Sequence, residues 1–401
     1  MSDKPFSFWN LTKRIFKWGS ITAGASLGVF LILNVLGLVT LGDAVEMFRK
    51  VTGEPGTRLV RWAEEIYFEA RYDTSVWWNG DAPKKEGLAA QALVVQNKGA
   101  SPSTPKAEPA SATSTSAPVE VSGPPKSDIP WSPYTRADGS VSGIHTAQIF
   151  PNDKLPDQPV YLAWMDSSKL AFRWTPGTVE PEGTPDGPLD RAGLIPKSEW
   201  PNLVAAFNGG YLTKHGHFGA MFNNVHVIPP KDGFATAALT KDGKMNIGAW
   251  GTDIDPKDKN IVTYRQNLRP IVSEGKIPDD IYQRSRGAIR PDASASDPLE
   301  GDLKAHTWRS GIGISKSGAI IFAAGDFLDG ELLATALQAA GAERAMQLDV
   351  NASYFCVFLL FEPSDDKGNV EGFVLGPKMT PRTGQFTTSR NGKDFVYVTK
   401  R

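Results

Sequence analysis

The feature that most constrains this chain is an uncharged run of 23 residues, Gly19–Leu41 (GSITAGASLGVFLILNVLGLVTL). Rising about 1.5 Å per residue as a helix, it is long enough to cross a hydrocarbon core. Lys4, Lys13, Arg14 and Lys17 precede it with Asp3 as the only acid, Trp9 and Trp18 suit an interface, and Asp43 and Glu46 come before Arg49 and Lys50. That basic bias predicts a cytoplasmic N-terminus, with the main domain periplasmic or extracellular. The alternative is a cleaved signal peptide, for which Thr40 and Gly42 make a poor small-residue site; the length of the run favours an uncleaved, single-pass anchor.

The 401 residues of the chain leave room for one large domain with accessory segments, or for two domains. Lys plus Arg total 43 against 44 Asp plus Glu, a formal net charge of −1. No basic footprint exists for holding nucleic acid by bulk charge. The single cysteine, Cys356, excludes an intramolecular disulfide and a Cys-rich zinc site.

The expected organisation is a cytoplasmic tail at 1–18, the transmembrane anchor at 19–41, a juxtamembrane helical stem at 42–98, a linker at 99–128 and a globular domain at 129–401. Within the stem, Thr57–Tyr72 places Leu59, Trp62, Ala63, Ile66 and Ala70 on one helical face, with Arg58, Arg61, Glu64, Glu65 and Glu69 opposite. That apolar stripe needs a partner, which is the membrane surface, a protein partner such as a second copy, or the main domain. From Gly99 to Lys126, 20 of 28 residues are Pro, Ser, Thr or Ala, too few apolar groups to offset the entropy of ordering. The segment is expected to be a flexible tether that supplies reach.

The globular part alternates short apolar runs with turn signals. Leu203–Phe207 predicts a buried strand ending at Asn208-Gly209-Gly210, where glycines allow positive φ or close backbone approach. Ala235–Thr240 with Met245–Ala249, and Gly311–Ile314 with Ala319–Ala324, predict hairpins. Asp329–Ala340 predicts a helix stopped by Gly341, followed by a strand at Ala345–Leu348. The apolar run Tyr354–Phe361 predicts a strand buried on both faces. The expected class is α+β (α/β-like): a mixed, mostly antiparallel sheet with few helices, preceded by one N-terminal transmembrane helix.

Polar groups reach the ends of apolar strands at three places: Asn208-Gly209-Gly210-Tyr211, Trp308-Arg309-Ser310-Gly311, and Leu348-Asp349-Val350-Asn351. Such ends fix the backbone and leave the head groups free for chemistry. His215 and His217 share one side of an extended segment, but no third ligand accompanies them, so no metal and no cofactor are expected. His145, His226 and His306 are isolated.

The order of these pieces resembles the phosphodiester glycosidase family. The run Ala206-Phe207-Asn208-Gly209-Gly210-Tyr211 is similar to that family's NGGYF. Arg309-Ser310-Gly311-Ile312-Gly313, continuing to Gly318, is similar to R-[ST]-x-I-G-x-x-x-D-G. Leu348-Asp349-Val350-Asn351-Ala352-Ser353 stands where the family has LDGGGSS. The departure there removes bare glycine backbone, and Val350 restricts positive φ. With Ile247-Gly248-Ala249-Trp250-Gly251 and Arg265-Gln266-Asn267-Leu268, the sequence looks closer to a bacterial subgroup lacking the glycine run.

The resemblance implies a hydrolase that cleaves a glycosyl phosphodiester. Arg309 would be the fork for the phosphate. Asp349 would stabilise the oxocarbenium-like centre or activate water, with Asp326 as a second carboxylate. Asn208, Gly209, Gly210, Tyr211 and Asn351 would bind the sugar. The implied partner is a glycan or phosphoglycan in the cell envelope or surface polysaccharide. An inactive phosphoglycan-binding or scaffolding protein is the alternative, and a structural partner docking through 57–72 a third.

Overall fold

The computed structural model describes residues 59, 63, 66–77, 89–92, 123–124, 128–281 and 305–401. The expected anchor at 19–41 and nearly all of the 99–128 stretch lie outside them. Among the described residues no helix is long and apolar enough to cross a membrane. The chain divides into two units, Met1–Ala70 and Arg71–Arg401. In the first, residues 59, 63 and 66–70 are helical, on the segment expected as the stem helix. Tyr67 there meets Phe68 edge-on at 5.4 Å between ring centroids.

The second unit is built on three sheets whose strand ladders are antiparallel. Among the described residues parallel pairing occurs in isolated bridges such as Trp250 with Ile254, and the expected mostly antiparallel sheet with few helices is what forms. The largest sheet runs in the order Ala89–Ala92, Val141–Phe150, Val160–Met165, Ile320–Leu328, Thr307–Ser315 and Ala342–Val350, with Ser132–Thr135 also on Val141–Phe150. A second runs Val370–Val374, Phe358–Pro363, Leu203–Asn208, Phe395–Lys400 and Leu170–Thr175. The third runs Met245–Ala249, Ala235–Thr240, Ile261–Gln266, Ala220–Phe222 and Val225–Ile228.

Alternation decides what each face does. Ile312, Ile320, Phe322 and Leu348 of the first sheet share one core with Phe207, Phe358, Leu360 and Val396 of the second and with residues of the third. At its centre Phe207, Phe322 and Phe358 pack with ring centroids 5.0–5.6 Å apart. The opposite face of the first sheet carries the helix Gly330–Ala339, whose Leu333, Ala336 and Leu337 are buried against Ile321, Ala323 and Ala345. Gly311 lets that helix come close, since a Cβ there would lie 3.0 Å from Leu337 Cδ1 and 2.9 Å from the Met346 carbonyl oxygen. Asp329 caps the helix by accepting the Leu332 N–H at 2.7 Å, and Gly341 ends it at φ 92°.

Two expectations change. The strand expected at Tyr354–Phe361 begins only at Phe358, because residues 352–356 close a turn in which the amides of Phe355 and Cys356 both donate to the Ala352 carbonyl. Upstream, residues 71–77 are helical and belong to the second unit, and Ala89–Ala92 pairs with Val141–Phe150. Part of the segment assigned to the stem therefore lies within the compact unit.

Candidate active site

Strands of the first and second sheets end side by side around the glycine turn. The Asn208 amide donates to Ser310 Oγ at 2.9 Å, and Ser310 Oγ donates to the Asp349 carbonyl at 2.9 Å. The Asp349 N–H donates to the Gly209 carbonyl at 3.1 Å. Asn208, Gly209, Gly210, Ser310 and Asp349 are thereby brought together, all buried.

The cation at the Asp349 carboxylate is Lys393, whose ammonium contacts Oδ2, while Oδ1 accepts the Val350 N–H at 3.0 Å. The Lys393 side chain is 20% exposed and that of Asp349 is 7% exposed, so the lysine is the more open partner of the pair. Burial pushes the Asp349 carboxyl above the usual carboxylate range; Lys393 and the Val350 N–H oppose that shift, and nearby Asp394 adds to it.

Asp394 is the hub beneath the turn. It accepts from Trp174 Nε1 at 2.8 Å and from Arg265 Nε at 3.1 Å, in an ion pair with both side chains essentially unexposed. Arg265 also donates to the Tyr211 carbonyl at 2.6 Å and to the Gln266 carbonyl at 2.9 Å. Neither Gly209 nor Gly210 has positive φ; they serve close approach. A Cβ on Gly209 would lie 2.5 Å from Asp394 Oδ2, and one on Gly210 would lie 3.3 Å from the Arg265 guanidinium.

Arg309 is placed differently from a fork facing substrate. It is fully buried, and its guanidinium donates to the Leu328 carbonyl at 2.7 Å, the Ala305 carbonyl at 2.8 Å and Gln347 Oε1 at 3.0 Å. Gln347 in turn donates to the Tyr211 hydroxyl. Arg309 thus reaches the turn through Gln347 and Tyr211. Asp326 is engaged elsewhere, by both terminal nitrogens of Arg71 at 3.0 and 2.5 Å and by the Phe327 N–H at 2.8 Å. Arg71 also lies over the Phe327 ring, 4.2 Å from its centroid.

Asn351 is exposed and takes φ 88°, the left-handed position of the turn after Asp349. Val350, the residue expected to oppose such a conformation, is instead paired in the strand opposite Arg309. Asn tolerates the left-handed region far better than a β-branched residue, so the turn forms without a glycine run. His215 and His217 are exposed, and among the described residues no group of three metal-binding side chains converges. A groove of about 450 Å³ opens farther along the same loop, walled by Glu182, Thr213, Lys214, His217 and Ile228 among others. Asp349, Lys393 and the 208–210 turn are not among its walls.

Sequence reasoning singled out neither Lys393, Asp394 nor Gln347 as site residues. Arg265 stood in a noted tract and Ser310 inside a noted motif. Lys393-Asp394 immediately precedes the buried strand Phe395–Lys400, polar residues at a strand end as at Asp349.

Residues 201–369 match the family model described as phosphodiester glycosidase. Among solved structures, the chain is similar to the zebrafish N-acetylglucosamine-1-phosphodiester alpha-N-acetylglucosaminidase catalytic domain auto-inhibited by its pro-peptide. Identity is 14% and the TM-score 0.42, over 68% of this chain and 88% of that one. A hypothetical protein from Synechocystis is similar at 11% identity and TM-score 0.34, over 65% of this chain and 63% of that one. No curated protein matches the sequence.

Proposed function

Proceeding from a phosphodiester glycosidase domain at residues 201–369, we propose that this chain hydrolyses a glycosyl phosphodiester at Asp349 and Lys393. The observation that carries the proposal is the buried Asp349 carboxylate, in contact with the ammonium of the partly exposed Lys393 side chain beside the Asn208-Gly209-Gly210 turn. In the reaction, water attacks the anomeric carbon, the bond from that carbon to the phosphate oxygen breaks, and the electron pair leaves with the phosphate. The proton of the water passes to Asp349 and on to solvent. A phosphate leaving group is acidic and needs no proton, so one carboxylate suffices; Asp326, held by Arg71, has no step.

Lys393 supplies positive charge for the phosphate. Arg309 is a positioning residue that sets Gln347 and Tyr211. Asn208, whose Oδ1 accepts no hydrogen bond within the described protein, is proposed to take a sugar hydroxyl as its donor, with Asn351 at the mouth. The anchor at 19–41 would place the domain outside the membrane, against envelope or surface polysaccharide; the uncharged 23-residue run supports that placement.

The test is release of free sugar from a sugar-1-phosphate diester by the full-length chain. Asp349→Asn is expected to lower turnover at least about a hundredfold. Turnover that survives Asp349→Asn in a folded protein would refute the assignment. The complete burial of Arg309 favours a second reading, an inactive phosphoglycan-binding protein. That reading takes over if the wild type binds phosphoglycan and releases nothing.

A further inference from the structure

The turn that replaces the expected start of a strand at Tyr354 sets an aromatic pair beside the proposed site. Tyr354 is 49% exposed, although an amphipathic ring of this size usually covers apolar surface. Its ring meets Phe355 at 4.3 Å between centroids with planes 58° apart. Lys393 Nζ stands 3.8 Å from the centroid of the Phe355 ring, and the same ammonium contacts Asp349. The sequence of contacts is unbroken: Tyr354, Phe355, Lys393, Asp349. The turn is pinned at both ends, by Cys356, whose thiol donates to the Asp349 carbonyl at 3.1 Å, and by the Ser353–Thr380 hydroxyl pair at 2.5 Å. A lone exposed aromatic carries no message. One fixed in place and continuous with an ion pair is a surface held ready.

We propose that Tyr354 and Phe355 form the subsite for the sugar ring whose anomeric carbon meets Asp349. This deepens the hydrolase reading and rests on it for the identity of Asp349. A pyranose offers a flat face of C–H groups edged by hydroxyls, the shape and polarity that a tyrosine ring matches, with the phenol oxygen left to bond a hydroxyl. Lys393, touching both the platform and the carboxylate, stands where the phosphate attached to that sugar would fall. The substrate class is therefore a hexopyranosyl phosphodiester with an unobstructed C–H face.

Calorimetric titration of the full-length chain in detergent separates the parts, using a methyl hexopyranoside without phosphate and, independently, inorganic phosphate. Tyr354→Ala is expected to weaken glycoside binding about tenfold. Tyr354→Phe should stay within about twofold of wild type, because it keeps the ring. Phosphate binding should be unchanged by Tyr354→Ala and lost in Lys393→Met. A Tyr354→Ala protein with unchanged unfolding behaviour that binds the glycoside as tightly as wild type overturns the platform, as does a wild type that binds no glycoside at saturating concentration. Tyr354-dependent binding without sugar release would sink hydrolysis and leave the platform standing. Hydrolysis with a KM indifferent to Tyr354→Ala would do the reverse.

Discussion

Gly209 and Gly210 are neighbours with different obligations. The first faces a carboxylate and a backbone carbonyl, neither of which yields easily, and the second faces a guanidinium at 3.3 Å, a tight contact that a shift of a few tenths of an ångström relieves. Gly209→Ala is expected to cost roughly 3 kcal/mol and Gly210→Ala roughly 1 kcal/mol, read from urea unfolding midpoints at unchanged slope. Equal losses would mean that the turn is not held by its approach to Asp394. Asp349 brings a pH dependence. Its carboxyl titrates above the ordinary value of about 3.9 because it is buried, and Lys393 restrains the shift. If the ionised form works, kcat/KM rises with pH through that elevated value, and Lys393→Met moves the acid limb further up. An acid limb that stays put in Lys393→Met would detach the ammonium from the carboxylate. The glycine motif and Asp349 were legible in the sequence because a strand end followed by small or polar residues is a local pattern. The direction of Arg309 was not. Pairing shifts register on both sides of that residue, a bulged arrangement that re-aims side chains in a way no spacing reveals.

Among the elements, the helix Gly330–Ala339 carries the clearest electrostatic signature. Its cap, Asp329, is pushed up to about 6, chiefly by burial and further by Glu331, with the Leu332 N–H and Arg309 opposing. The folded state thus holds this proton more tightly than the unfolded chain does, so stability falls as pH rises from the ordinary carboxylate value through about 6. Asp329→Asn keeps an acceptor for Leu332 and removes the titration. Urea midpoints across that pH range should slope less in the variant; an unchanged slope would place the proton on another group. The helix and the first hairpin stood in the sequence with bounds close to those observed, and the second hairpin with its turn in place but its outer strand ends four residues short, since Asp329, Gly341, Gly243 and Gly318 mark where they turn. The strand start at Phe358 was hidden, because Tyr354-Phe355-Cys356 is as apolar as the residues that follow. Only the tertiary role of the turn separates the two halves.

For the whole molecule, hydropathy alternation gave the antiparallel character, but not three sheets sharing one core. Long-range pairing such as Leu203–Asn208 with Phe395–Lys400 leaves no local trace. The one thiol of the chain adds a built-in clock. Cys356 is fully enclosed and donates its hydrogen to the Asp349 carbonyl, and burial pushes its ionisation far up. Alkylation by a small reagent under native conditions must therefore wait for the floor of the Asp349 turn to part, and its rate counts those openings. Any compound that seats itself against Asp349 should slow that clock, so ligands for this protein can be sought by a dye-transfer measurement that needs no turnover.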